Sequence, residues 1–275
     1  MVYIECNTPG SKARLGTGVI VSKAGHVLTA RHVLTANPSE PIPNDLECFG
    51  KEKVASGKPT EKLIIQPAVA PVDAALLQFS EDKVRPFIGF CKVEPWMVRR
   101  KIFVAGFPGG TRTGVPSFRE GVLSTTKGTP NGVLETDGQT IAGMSGGPVF
   151  SGNLAGLVGI VVGASFASNG SVDYYGILPA AVYAETFGLV ESDTPCYHEQ
   201  REVDMTAVPT WTSGSEPVKL GVPSNQGVCF LARVKGQFNQ SEDAISVEIV
   251  DGEYILQGND SSGQIEASAR CIWYD

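Results

Sequence analysis

The sequence predicts an all-β fold, and three observations carry that expectation. The chain has 275 residues with 32 glycines and 18 prolines, scattered among short apolar runs instead of gathered in one tail. The runs restart after turn-forming residues, as at Lys23-Ala24-Gly25 and Asp251-Gly252. Only one stretch, Pro179 to Gly188, carries helix punctuation, with proline in its first turn and glycine at its end.

In chain order, Leu15–Ser22 and Ala24–Leu34 read as a hairpin, with His32 at the end of its second strand. His26, near the turn, reads as an ordinary strand residue. Residues 36–60 read as loop with a short strand near Leu46–Phe49, followed by a strand at Leu63–Ile65. Val72–Phe79 is an apolar strand opened by Asp73. A carboxylate there is either a turn-forming cap or the partner of a buried group. From Lys101 the pattern restarts, with strands expected at Ile102–Gly106, Phe118–Ser124 and Val133–Thr136. Leu154–Gly163 reads as a buried strand and Tyr174–Leu178 as a shorter one. Residues 191–225 hold Pro195, Pro209, Pro217 and Pro223 among Ser, Thr and Glu, and read as a linker. The tail 226–275 returns to β patterning, with strands at Val228–Val234, Ala244–Val250, Tyr254–Leu256 and Ile265–Trp273.

A 42% hydrophobic chain of this length buries a substantial core, as one large domain or two to three small ones. Net charge is −7 and no Lys/Arg run is present, which disfavours nucleic acid and anionic membranes as partners. The apolar runs are too short to span a membrane as helices. Met1 to Gly10 lacks a basic-then-apolar leader pattern, so the compartment stays open. Six cysteines, at 6, 48, 91, 196, 229 and 271, form no CxxC, and no metal or cofactor is expected. They fit either free thiols or three disulfides. Cys229 and Cys271 are candidates to staple the first and last strands of the small C-terminal unit.

The chemistry concentrates in Gly143-Met144-Ser145-Gly146-Gly147-Pro148. Glycines permit a tight turn that aims the N–H groups of Gly143 and Ser145 at one point and exposes the Ser145 hydroxyl there. The bland alternative is a glycine-rich loop before a buried strand. A serine nucleophile needs a base, and the base needs an orienting carboxylate. His32 and Asp73 stand upstream in that order, as Thr29-Ala30-Arg31-His32-Val33 and Asp73-Ala74-Ala75-Leu76-Leu77.

Taken together, over roughly residues 12–190, these segments resemble the chymotrypsin-like serine protease superfamily. They are most similar to its bacterial Deg/HtrA branch, and Leu134-Glu135-Thr136-Asp137 adds to the likeness. The resemblance implies two six-stranded antiparallel barrels, about 1–90 and 98–180, with a helix at 179–188 and a cleft between the barrels. It implies His32 as general base and acid, Asp73 as its orienter, Ser145 as nucleophile, and Gly143 and Ser145 as oxyanion donors. It places the substrate pocket at Gln139, with Thr140, Ala164 and Gly176 on its walls and Val162 and Gly163 beside it. An uncharged pocket would accept a small-to-medium apolar side chain.

Two departures have consequences. Met144 stands where zymogen-activated members carry an aspartate that pairs with a new N-terminus, and the matching Ile-Val-Gly-Gly start is missing too. A site that forms without proteolytic activation is expected. Ile160-Val161-Val162-Gly163 also lacks the serine that in many members supports the aspartate. Residues 226–275 match no family and are expected to recognise a surface or protein partner, or to cap the protease. The expected function is serine endopeptidase acting on proteins or peptides. The alternative is a binding or assembly protein on a protease-like fold, acting through its C-terminal module.

Overall fold

The computed structural model describes residues 1–35, 37–52, 61–109, 114–197, 200–202, 209–225, 227–261 and 263–274, with backbone alone for 200–202, 273 and 274. The chain is all-β and divides into two compact units, Met1–Tyr197 and His198–Asp275.

The first unit begins with β1 (Val2–Asn7), β2 (Arg14–Ile20), β3 (His26–Thr29), β4 (Glu47–Glu52), β5 (Glu61–Ile65) and β6 (Ala75–Phe79). They close into a barrel in the order β1-β2-β3-β6-β5-β4. Alternation drives the closure: Val2, Ile4 and Cys6 are buried while Tyr3, Glu5 and Asn7 are half-buried. Each fully buried aliphatic side chain contributes about 1.5–3 kcal/mol. The β2–β3 hairpin turns at Gly25, whose φ of 79° suits glycine. Cys6 and Cys48 lie opposite one another on β1 and β4 and form a disulfide.

A buried arginine ties the foot of this barrel. Arg85 is 2% exposed, lies 3.7 Å over the Phe79 ring and pairs with both Glu52 and Glu61. Burial holds its guanidinium below the ordinary arginine range.

The second half carries β7 (Lys101–Gly106), β8 (Ser117–Val122), β9 (Leu134–Thr136), β10 (Pro148–Ser151), β11 (Leu157–Phe166) and β12 (Val172–Pro179). Their order is β8-β7-β10-β11-β12-β9. This is an open six-stranded sheet instead of the expected second closed barrel, and its edges meet at a single bridge, Leu123 with Thr136. Closure stops there for a local reason. The Asp137 carboxylate accepts the Val122 N–H at 2.6 Å, taking a donor that a longer β9 would have used. A Cβ on Gly121 would also lie 2.5 Å from the Gly138 Cα, just beyond β9.

The helix expected over 179–188 is two short pieces, a 3₁₀ turn at Ala180–Val182 and α1 (Ala184–Phe187). Tyr183 interrupts them at φ −125°, its ring fully buried in the first core. Gly188 ends the helix in the left-handed region. A second disulfide, Cys91–Cys196, ties the end of this unit to the start of its second half.

In the second unit, β13 (Gln200–Glu202), β14 (Thr210–Thr212) and β16 (Gly227–Lys235) pair with β19 (Glu266–Tyr274). A second sheet runs β15-β18-β17, from β15 (Val218–Pro223), β17 (Ala244–Val250) and β18 (Glu253–Asn259). Trp211, Leu256, Ile265, Ala267 and Ala269 form the core. The stretch 191–225, expected as a linker, thus supplies β14 and β15; its residues 198–199 and 203–208 lie outside the described residues. Trp211 explains the difference: one large side chain, 1% exposed, anchors a segment whose composition is otherwise polar. Cys229 and Cys271 face each other on β16 and β19 and are disulfide-bonded. Asp251 and Gly252, at φ 52° and 83°, make the tight β17–β18 turn.

Among the described residues no helix is long and apolar enough to cross a membrane. No cluster of three or more His, Cys, Asp or Glu suited to a metal is found among them either.

Candidate active site

His32 sits in a 3₁₀ turn, Arg31–Val33, just beyond β3. The turn is packed from below by Val33, and Gly16 on β2 leaves the space for it: a Cβ on Gly16 would lie 2.6 Å from the valine. Asp73 precedes β6, the strand paired with β3, so the barrel brings the two residues together. The Asp73 Oδ2 lies 2.7 Å from His32 Nδ1, and Oδ1 accepts the His32 main-chain N–H at 2.9 Å. An ionised carboxylate only accepts, so Nδ1 carries the hydrogen and Nε2 is left with a free lone pair. The two side chains are 25% and 20% exposed, open enough for Nε2 to meet another group.

The Ser145 loop is built from glycines that nothing larger can replace. A Cβ on Gly143 would lie 2.3 Å from the Gly109 nitrogen, and one on Gly146 2.1 Å from Thr29 Oγ1 and 2.5 Å from the Ala30 nitrogen. One on Gly147 would meet the Ala105 carbonyl at 2.2 Å. Gly146, next to Ser145, therefore packs directly against Thr29-Ala30, the segment that leads into His32. Met144 is 0% exposed and is part of the second core. It anchors the loop by apolar packing at the position where an ion pair was absent from the sequence.

The loop's backbone can be accounted for group by group. The Ala142 carbonyl accepts from Gly109 N–H at 2.6 Å, and the Met144 carbonyl from Gly147 N–H at 2.8 Å. The Gly143 carbonyl accepts from Thr17 Oγ1 at 2.8 Å, and the Ser145 carbonyl from Thr17 N–H at 2.9 Å. Met144 N–H donates to Ile141, and Gly146 N–H to Val161. The N–H groups of Gly143 and Ser145 have no acceptor among the described residues. In a trans peptide N–H points opposite to C=O. Fixing the Ala142 and Met144 carbonyls therefore fixes the direction of both free donors.

The remaining expected site residues fall in two places. Gly163 and Gly176 are cross-strand partners on β11 and β12, with Ala164 next to them opposite Tyr175. Val162 is the extra residue of a β-bulge in β11 and lines a cavity of about 800 Å³ together with Val72, Asp73, Leu178 and Val182. Gln139 and Thr140 lie on the loop leading to Ser145. The Gln139 Oε1 is held at 3.1 Å by Arg119 Nη1, from β8. The sequence reading expected no charge at this position. Arg119 escaped it because the cation comes from a strand distant in sequence.

Thr17, Gly109 and Arg119 are the residues that sequence reasoning missed. Only Thr17 left a signal, the Gly16-Thr17-Gly18 pattern within β2.

Comparison with known proteins adds a family. The structure is similar to the MamO protease domain from Magnetospirillum magneticum (20% identity, 66% of this chain and 94% of that one, TM-score 0.50). It is also similar to Deg5 (22% identity, 68% and 89%, TM-score 0.50). The Rv3671c protease from M. tuberculosis matches at 22% identity over 70% and 82%, with TM-score 0.51. At such identities the likeness is one of fold. No curated protein matches in sequence. The trypsin-like peptidase domain matches residues 16–160, more than half of the chain and all three segments described above. The chain therefore belongs to the trypsin-like peptidase family.

Proposed function

We propose that the protein is a serine endopeptidase in which His32, Asp73 and Ser145 form the catalytic triad. The observation that carries this reading is the pair of N–H groups, of Gly143 and of Ser145 itself, that have no acceptor among the described residues, in a loop whose Ala142, Gly143, Met144 and Ser145 carbonyls are all bonded. Two donors held in place without a partner suit a charge that appears only during reaction.

In this mechanism Ser145 Oγ attacks the scissile carbonyl while His32 Nε2 takes its proton. The carbonyl oxygen becomes an oxyanion and accepts from the two N–H groups. Asp73 steadies the imidazolium, which then protonates the leaving amine, and an acyl-enzyme remains. Water, activated by His32, releases the acid by the reverse sequence. The buried Met144 supports a loop that needs no N-terminal ion pair to form. Gln139, Thr140, Val162, Gly163, Ala164 and Gly176 are proposed to line the substrate pocket. The second unit is proposed to meet a surface or protein partner. Its support is the exposed Val228, Phe230, Leu231 and Val234 on β16.

Hydrolysis of a fluorogenic peptide library tests the proposal. The wild type should cleave, and Ser145→Ala and His32→Ala should each lose nearly all activity. The double variant should be little worse than either, because such residues act as a unit. Near wild-type cleavage by Ser145→Ala rules the mechanism out.

A further inference from the structure

Thr17 is fully buried, and every polar group it has is engaged. Its N–H donates to the Ser145 carbonyl at 2.9 Å and its Oγ1–H to the Gly143 carbonyl at 2.8 Å. Oγ1 also accepts the Phe107 N–H at 2.9 Å, and its carbonyl accepts from Thr29 Oγ1 at 2.7 Å. Thr17 belongs to β2 in the first barrel. Phe107 directly follows β7 of the second sheet, and Gly143 and Ser145 lie in the loop before its β10. Thr29 ends β3, three residues before His32. One residue thus holds both members of the oxyanion loop and, through Thr29, the strand that delivers the histidine.

We propose that Thr17 is the positioning residue of the active site. It fixes the 143–144 and 145–146 peptides, each next to a plane that carries one of the two free donors, and keeps the Ser145 loop in register with His32. Its two donors pair with the Gly143 and Ser145 carbonyls. Those carbonyls adjoin the planes that carry the Gly143 and Ser145 N–H groups, which have no acceptor among the described residues, and glycine at 143, at φ 92°, is the joint most able to rotate. Without the hydroxyl, the Gly143 carbonyl and the Phe107 N–H lose their partner in a buried place. The loop then relieves that cost by turning the 143–144 peptide, and the rotation about Gly143 that this requires displaces the adjoining plane, which carries the Gly143 N–H. The mutation is felt in the transition state and not in substrate binding. This inference rests on the reading of Gly143 and Ser145 N–H as oxyanion donors.

Thr17→Val, nearly isosteric, removes the hydroxyl, and Thr17→Ser keeps it. For Thr17→Val, kcat should fall about 10²–10³-fold with KM within about twofold, the loss typical of one missing oxyanion donor. Inhibition by a peptide aldehyde, whose adduct on Ser145 carries the oxyanion, should weaken by the same factor as kcat/KM. Thr17→Ser should stay within about threefold of wild type in both measurements. Should Thr17→Val fail to fold, Thr29→Val serves. It frees only the Thr17 carbonyl and should lower kcat about tenfold, again without raising KM. A purely structural role would lower the melting temperature yet leave kcat per titrated site and aldehyde affinity intact, and that result overturns the proposal. An active wild type matched by Thr17→Val defeats this inference alone. A wild type that neither cleaves peptides nor binds the aldehyde defeats the peptidase reading, and this inference with it.

Discussion

His32 and Asp73 are joined twice, by side chain to side chain at 2.7 Å and by main chain to side chain at 2.9 Å. Each carboxylate oxygen therefore has one donor from the same residue, which fixes the imidazole relative to Asp73 at two points.

Replacing Asp73 by Asn should leave the fold in place, because an amide oxygen can still accept the His32 main-chain N–H. It should cost about 10⁴-fold in kcat, since the amide no longer holds the imidazole in the required tautomer. Steady-state kinetics on a peptide substrate measures this, and a loss under tenfold would remove Asp73 from the mechanism.

In the proposed pocket, Arg119 beside Gln139 should disfavour Arg and Lys before the scissile bond. Two like charges about 4 Å apart repel by about 1 kcal/mol in water-like surroundings, or about fivefold in kcat/KM. Arg119→Ala should restore cleavage after basic residues by about that factor. A library profile led by Arg or Lys in the wild type would place the pocket elsewhere.

The cut between the two units matters to within a few residues. Cys196 is bonded to Cys91, and Tyr197 Oη donates to the Lys101 carbonyl at 2.9 Å. A chain ending after Tyr197 should stay soluble and cleave a short peptide within about twofold of the full chain. One ending after Ser192 loses the disulfide, worth about 2–5 kcal/mol, and should melt several degrees lower. Calorimetry of the two truncations decides; an insoluble 1–197 would show that the second unit caps the first.

Asp243 makes the second unit sensitive to acid. Its carboxylate accepts N–H from Asn239, Gln240 and Ser261, and the Ser261 hydroxyl. The Ser261 and Gln240 N–H groups contribute most to holding it below the usual aspartate range. A lowered folded-state pKa adds stability that is complete above the unfolded value, about 3.9, and disappears as pH falls through the folded one. Asp243→Asn should therefore flatten the acid limb of the stability curve below about pH 4. An unchanged acid limb would show that another group controls it.

Much of this was legible in the residues themselves. Alternation, glycines and turn pairs marked the strands because period-two burial is written locally, as in β1. The spacing of His32, Asp73 and Ser145 could be read because each sits in a distinctive local context. What escaped reading depends on contacts between distant segments. Thr17 looks like any strand threonine until the Ser145 loop docks on it. Arg119 gains meaning only when β8 and the Gln139 loop meet. The second sheet stays open because Asp137 reaches back to Val122, and no pattern within β9 announces that. Residues 191–225 looked like linker because composition hides the weight of one buried tryptophan, Trp211.

The most direct test of the central claim is covalent labelling of the intact chain by an organophosphonate serine probe, read by peptide mass spectrometry. One adduct is expected, on Ser145, abolished in Ser145→Ala and slowed by orders of magnitude in His32→Ala. A wild type that takes no label, or a label that persists in Ser145→Ala, would contradict it.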